Sequence, residues 1–307
     1  MTRFSVVIAS YNREKYIRQT IDSVLSQTFK DYEIIVVDDG STDRTKDILQ
    51  SYGAHVKTIY QLNQGPEVAY KTGASFANGE YLAFLDSDDL FLPNTLATYD
   101  KIIQAFDSPP LIIGCIKRFW DGQDVPTNTE SADVIEVLKY RDYLSKDVGM
   151  STAQSIIVIL KSVFEEVSGT IDSKANSYLF NSDSKLLLQA GTHGPCMIVR
   201  HPTTLAYRQH VTQISNKVGI MVQGVLDLIH MIRSGLYYGG NTRRFAKYVF
   251  LGGHVTQWVK TAFKSHQRGL AIRLLISGWP MIAAAALRKL WFSLHKTSQL
   301  ILLKNKD

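Results

Sequence analysis

Two short clusters of carboxylates carry the clearest chemical signal in this chain. One is Asp86-Ser87-Asp88-Asp89 and the other is Asp38-Asp39-Gly40-Ser41. Three carboxylates within four residues repel one another, and each is costly when taken out of water. A hard divalent cation relieves that repulsion, because Mg2+ and Mn2+ prefer oxygen ligands and are held by one or two carboxylates together with substrate phosphates. Asp86-Ser87-Asp88-Asp89 therefore reads as a cation site, with a solvated turn as the alternative. The Asp38 cluster has a plain alternative of its own: a turn followed by a helix cap at Ser41 or Thr42, since Asp, Gly and Ser are the usual turn residues.

The elements around the clusters give them a place. Each follows a short apolar run, EIIVVD (33–38) and YLAFLD (81–86), of the kind that forms a strand buried on both faces. Similar runs at 4–9, 56–60 and 111–116 predict further strands. Between them, apolar residues at helical spacing predict helices over 14–28 (Ile17, Ile21, Val24, Leu25), 42–52, from Pro66 to Asn78-Gly79, and from Pro93 to about 106. Strands alternating with helices predict βαβ crossovers and a mainly parallel sheet. Ligands of such sheets bind beyond the carboxyl ends of the strands, where both clusters fall. Farther on, 121–133 reads as a polar loop, 154–160 as a strand, 161–167 and 183–190 as short helices, and the chain from 216 onward as helical throughout.

In combination these segments resemble the family-2 glycosyltransferases of GT-A fold. The motifs A-S-Y-N (9–12), S-Q-T-F (26–29), V-V-D-D-G-S-T-D (36–43), N-Q-G (63–65) and L-D-S-D-D (85–89) occur in the family's order. The resemblance is dense over 1–100 and thinner to about 215. It implies a Rossmann-like, mainly parallel α/β sheet flanked by helices. It also implies an inverting hexosyl transfer from a nucleotide-sugar, expected to be a UDP-sugar, to a hydroxyl of a glycan or lipid-linked acceptor. Asp86 and Asp88 match the metal-binding D-x-D pair, with Asp89 beside them, and Mn2+ or Mg2+ is the implied cofactor. A cation bridging both phosphates stabilises the leaving diphosphate without proton transfer. The resemblance further assigns nucleotide contacts to Ala9, Tyr11, Asp39, Lys71, Asp86 and Arg208. Asp39 would meet the base and Tyr11 would stack on it. Lys71 stands where the family often has arginine, so the planar fork is lost. Arg208, in Tyr207-Arg208-Gln209-His210, would clamp the diphosphate, and His210 would complete the metal shell. Inversion needs one general base. Asp183 matches it, although Ser182 replaces the family's preceding Glu and Gly169-Thr170-Ile171-Asp172 replaces its Gly-Phe-Asp; Asp172 is the fallback.

Composition bounds the rest. The 307 residues are 45% hydrophobic and 20% charged, which excludes a disordered or collagen-like chain. Two cysteines, Cys115 and Cys196, are too few for a disulfide framework or zinc cluster and fit a reducing compartment. No basic leader with a long apolar run is present, so a cytoplasmic protein is expected. The net charge of +6 hides an asymmetry. Residues 217–307 carry 14 basic and two acidic residues, a balance of +12, while the remaining 20 basic and 26 acidic residues give 1–216 a balance of −6. The uncharged run 274–287 is shorter than the roughly 20 residues a bilayer needs. With Trp279, Trp291 and flanking arginines it reads as an interfacial segment attracted to anionic lipid. The expected organisation is a GT-A domain over 1–215, with its nucleotide half at about 1–110 and its acceptor half at about 111–215. A helical, basic, peripheral membrane region follows over 216–307. The alternative for the tail is packing on the body or a homodimer face. Nucleic acid is not expected, since no recognised binding motif accompanies the charge. Two other functions compete. A nucleotidyltransferase would need a Gly-rich phosphate loop that ASYNREKY lacks, and a nucleotide-sugar binding module without catalysis is suggested by Ser182. G-x-G-x-x-G is absent, which disfavours a dinucleotide oxidoreductase.

Overall fold

The computed structural model describes residues 2–127, 134–146, 153–168, 182–292 and 299–304. The first half alternates as its sequence pattern predicts: β1 (Phe4–Ser10), α1 (Ile17–Leu25), β2 (Tyr32–Asp38), α2 (Thr45–Gln50), β3 (Lys57–Tyr60), α3 (Pro66–Ser75), β4 (Tyr81–Asp86), β5 (Leu90–Phe91) and α4 (Thr95–Ala105). Then come β6 (Leu111–Ile113), β7 (Ile116–Trp120), β8 (Val134–Tyr140), β9 (Ile157–Leu160), α5 (Lys161–Ser168), α6 (Ser182–Ala190), β10 (Cys196–His201) and β11 (Leu205–Gln209). The chain continues through α7 (Val218–Ser234), α8 (Arg244–Lys264), α9 (Arg268–Phe292) and β12 (Gln299–Lys304).

Nine strands form one mixed sheet in the order β12-β8-β10-β6-β9-β4-β1-β2-β3. The β4-β1-β2-β3 half is wholly parallel. Its strands are near-continuous apolar runs because helices cover both faces; Val6, Val7, Ile8, Ile35, Val36, Phe84 and Leu85 are fully buried. In the other half β9 and β8 run antiparallel to their neighbours. A second, three-stranded sheet has the order β5-β11-β7.

Three expectations change. The run 111–116 is two strands in two sheets, parting at Gly114. A Cβ there would lie 2.3 Å from the Tyr99 hydroxyl and 2.5 Å from Thr204 Oγ1. That space holds the bonds from the Tyr99 hydroxyl and the Cys115 amide to Thr204 Oγ1, at 3.0 and 2.9 Å. The helix expected from Thr42 starts at Thr45. The Ser41 hydroxyl accepts from the Asn12 amide and the Thr42 amide donates to Asn12 Oδ1, so both residues belong to a loop joined to the end of β1. Asp43, not Ser41 or Thr42, accepts from the Thr45 amide. The tail is not helical to its end. QLILLK closes the sheet as β12, antiparallel to β8; pairing with an exposed sheet edge, not local propensity, makes this apolar run a strand.

The tail packs on the body rather than standing apart. One hydrophobic cluster joins Leu187 and Tyr143 to Val225, Leu251, Val255, Leu274 and Met281. Arg243 pairs with Asp142, its Nη2 3.1 Å from Oδ1. Helices α8 and α9 approach closely because Gly252 faces Met281 and Gly278 faces Val255; added Cβ atoms would lie 2.1 Å from the Met281 carbonyl oxygen and 2.5 Å from Val255 Cγ1.

Candidate active site

Register brings the two carboxylate clusters together. Ala9 on β1 lies opposite Val37 on β2 and Asp86 on β4, so the carboxyl ends of all three strands meet at one edge. There Asp39 is buried and accepts three bonds: Gln61 Nε2 at 2.7 Å and the Gln64 and Gly65 amides at 2.9 and 2.8 Å. It shapes the N-Q-G loop. Gly40, at φ +80°, turns the chain tightly against that loop, where a Cβ would meet the Asn63 amide at 2.9 Å. A carboxylate has about four acceptor positions, so one remains for a ligand.

The Asp86–Asp89 segment divides its labour. Asp86 accepts from the Tyr70 hydroxyl at 2.6 Å and lies 3.0 Å from the Ser155 hydroxyl. Burial and the Asp88 charge push its carboxyl up to about 6. Asp89 is turned inward, 2.7 Å from Ser155 Oγ and accepting the Arg208 amide at 3.0 Å. Burial, then Asp88 and Asp86, drive it well above the ordinary carboxylate range. It is a structural link between β4 and β11. Asp88 behaves oppositely. Burial works against its charge, but the His210 contact at 3.0 Å and the Arg13 guanidinium at 3.4 Å outweigh it and hold the carboxyl below its usual value. His210 is oriented by Thr212 Oγ1, 2.8 Å from Nδ1, and by the Tyr16 ring, with centroids 4.8 Å apart.

A cavity of about 1380 Å³ lies over this edge, and its walls include Ala9, Tyr11, Asp39, Asp86, Asp88 and Asp183. Six of the expected site residues therefore converge. Tyr11 is 44% exposed there, available to a planar ligand. Asp183 sits in the first turn of α6, where a carboxylate complements the helix dipole, and accepts the Ser184 amide at 2.7 Å. Its helix is tied to the nucleotide half by a nearly buried ion pair: Lys185 Nζ lies 2.7 and 2.8 Å from the two Glu67 oxygens on α3.

Three expected residues stand elsewhere. Lys71 is 2.9 Å from Glu67, one turn away on the same helix, and does not line the cavity. The short distance between i and i+4 charges decides its direction. Arg208 is buried beneath the Asp88 loop and is not on the cavity wall. It donates to the Asp88 carbonyl at 3.0 Å and to Gln19 Oε1 at 2.5 Å, and stands over the Phe119 ring at 4.8 Å. It supports the loop. His210 reaches Asp88 but lines an adjoining cavity of about 450 Å³, with Arg13, Tyr16 and Asp121. Asp172 lies outside the described residues. Among the described residues no three His, Cys, Asp or Glu side chains gather closely enough to hold a metal ion by themselves.

Sequence reasoning missed Arg13, Tyr70, Ser155, Lys146 and His254. Arg13 lines both cavities, and its Nε is buried without a hydrogen bond. Its signal was its position directly after A-S-Y-N. No local signal marks Ser155, Lys146 or His254, which reach the site from distant segments.

The sequence model of glycosyl transferase family 2 matches residues 5–167, more than half of the chain. The chain belongs to this family. Uncharacterised glycosyltransferases of Nostoc sp. and of Bacillus subtilis (EpsJ) are 40% identical over 109 residues and 36% identical over 115 residues. The match covers 34% of this chain and 34% of the Nostoc protein, and 36% and 33% for EpsJ, so the chain spans about a third of the curated relatives' length. A crystal structure of Staphylococcus aureus TarS 1–349 in complex with UDP-GlcNAc aligns at 18% identity and a TM-score of 0.65, covering 92% of this chain and 81% of that one. The TarS complex with UDP aligns at 17% identity and a TM-score of 0.59, covering 99% and 97%. The fold is the GT-A glycosyltransferase fold, as the family resemblance implied.

Proposed function

We propose that this family-2 protein moves a sugar from a UDP-sugar to an acceptor hydroxyl by a single inverting displacement assisted by Mn2+ or Mg2+. The observation that carries this reading is the single cavity lined by Asp39, Asp86, Asp88 and Asp183 together. The nucleotide of the TarS complexes supports the choice of uridine.

Asp39 keeps one acceptor position for a base N–H, and Tyr11 offers a ring face beside Ala9. The donor set suits a hard cation: Asp88 is held charged, and Asp86 faces the same space. With too few protein ligands for a closed site, the ion would take its remaining oxygens from a diphosphate, as Mg2+ sites commonly do. Asp88 and Asp86, with His210 at the Asp88 carboxylate, would hold it. When bound, the cation would neutralise charge developing on the leaving diphosphate. Arg13 adds a fixed positive charge at the same place. Asp183 accepts the proton of the attacking hydroxyl, and the Lys185–Glu67 pair holds its helix at a set distance from the donor wall. Purified protein should release UDP slowly from UDP-GlcNAc with Mn2+ and lose that release with EDTA. A protein that binds UDP-GlcNAc yet never releases UDP would be a binding module.

The tail supports attachment to the cytoplasmic face of a membrane. The 23-residue stretch Arg268–Leu290 contains an 18-residue window of mean hydropathy 1.7, and one face of α9 is open: Ile276 and Trp279 are 72% and 62% exposed. The other face packs Ala271, Leu274 and Met281 into the body, so the helix is suited to lie on a bilayer rather than cross it. Deleting 268–307 would remove those buried side chains and β12. Substitution on the open face is the cleaner test: Ile276→Asp with Trp279→Asp should abolish the salt-resistant part of binding to anionic liposomes. Unchanged co-sedimentation would reject the membrane role. An acceptor anchored in lipid would suit this arrangement.

A further inference from the structure

A second cavity, of about 450 Å³, adjoins the large one and shares Asn12, Arg13, Gln209 and Thr212 with it. Its size falls within the roughly 300–1,000 Å³ of small-ligand sites. Trp120, the last residue of the edge strand β7, lines it and is 55% exposed. Gln209 is its register partner on the parallel strand β11, so the two side chains stand side by side on one face of the sheet. Among the described residues nothing bonds the Trp120 indole N–H or the Gln209 carboxamide. The cavity also holds three carboxylates, each fixed by its own bonds. Asp43 accepts the Glu14 and Thr45 amides, both at 3.0 Å. Glu14 accepts the Arg44 amide at 3.0 Å. Asp121 accepts from the Tyr16 hydroxyl at 3.0 Å and pairs with Lys15. A carboxylate has about four acceptor positions, so each keeps some for a ligand.

This lining selects by exclusion. Glu14, Asp43 and Asp121 oppose an anion, while Arg13 and Lys15 oppose a cation, so the cavity suits an uncharged ligand rich in polar groups. A pyranose is such a ligand: its edge carries hydroxyls that donate and accept, and its C–H faces are apolar. We propose that this cavity is a glycan subsite, in which the Trp120 ring stacks on the face of a neutral sugar residue while Gln209, Asp43 and Asp121 bond its hydroxyls. Fixed carboxylates accept from hydroxyls, the carboxamide both donates and accepts, and the indole offers a rigid apolar plane. The proposal rests on the glycosyltransferase reading and adds a property of the acceptor. The acceptor is a glycan of more than one residue: the reacting residue lies in the large cavity with Asp183, and a further residue reaches Trp120 past Gln209 and Thr212.

The test uses the full chain saturated with UDP and Mn2+, so that the nucleotide site is filled. Binding of the methyl glycosides of glucose, galactose, mannose and N-acetylglucosamine is followed by saturation-transfer NMR, with sorbitol as a polyol that has no ring face. One or more of the glycosides should bind and sorbitol should not. Trp120→Ala should weaken that binding roughly tenfold or more, as loss of an aromatic anchor does, whereas Trp120→Phe should keep most of it. Gln209→Ala should weaken it several-fold, the range of one net hydrogen bond. None of the three substitutions should change UDP affinity, and circular dichroism checks that all fold. Replacing UDP by UDP-GlcNAc should leave the glycoside bound. No glycoside binding to the parent, equal binding of sorbitol, or binding that survives Trp120→Ala would overturn the proposal. Displacement by UDP-GlcNAc would overturn it too, since the cavity would then hold the donor's own sugar. If glycosides bind through Trp120 but UDP does not bind the parent, the subsite stands and the donor reading fails.

Discussion

The sheet side and the helix side of the cavity are built in different ways. The sheet side comes from the ends of three adjacent parallel strands, β1, β2 and β4, and its carboxylates lie within 80 positions of one another. Each of those carboxylates is already held by fixed donors. The helix side is gathered from Lys146, α6, α7, α8 and α9. A side set by strand register is constrained by the sheet itself. A side set by helix packing can change its side chains without disturbing the sheet.

The comparison can be broken at several points. The largest effect is expected at the junction of the two walls. Asp183→Asn should lower transfer by roughly 10²–10⁴-fold, the usual contribution of a general base, with donor affinity kept in calorimetry. Near-normal transfer would move the base elsewhere, Asp172 being the first candidate. Next is the strut between the walls. Lys185→Met leaves Glu67 partly buried with only Lys71 as partner, and should destabilise the fold by about 3 kcal/mol, as loss of one partner of a buried pair does, measured by urea unfolding. The Glu67→Gln, Lys185→Met double variant should recover much of that loss; if it does not, the pair is not the source of the coupling.

A smaller effect is expected at Lys146. Its ammonium titrates near 7 in the folded chain against 10.5 for an ordinary lysine. Between those values the unfolded chain binds the extra proton, so stability rises with pH over that window, and below about 7 the folded state carries the uncompensated charge in full. Lys146→Met should flatten this slope and raise Tm at pH 6.5 by roughly 2–4 °C. An unchanged pH profile from differential scanning calorimetry would place Lys146 in ordinary solvent.

Legibility followed the same division. Strands β1, β2 and β4 were readable because a doubly covered parallel strand is a continuous apolar run, and the carboxylates at their ends followed from that. The place of Asp183 in the first turn of a helix was readable because a motif and a helix start coincide. Arg208 and Lys71 lie in the expected elements but neither lines the cavity. A sequence motif reports which residue is present, and the direction of its side chain is decided by neighbours such as Asp88, Gln19 and Glu67. The helix side of the cavity was invisible as a unit. Lys146, His254 and Arg288 are more than 100 positions apart from first to last, and the +12 balance of the tail concealed that part of the charge faces inward. The strand β12 escaped because its partner β8 lies 160 positions earlier.

Isothermal titration of UDP tests the central claim most directly, that the donor wall binds a uridine diphosphate together with a divalent cation at Asp88. With Mn2+ present, UDP should bind the parent protein with an affinity that falls at least roughly tenfold on adding EDTA, the worth of a single strong charge-assisted contact, and Asp88→Ala should bind weakly with or without the metal. Equal affinity for UDP with Mn2+ and with EDTA, unchanged by Asp88→Ala, would contradict the account.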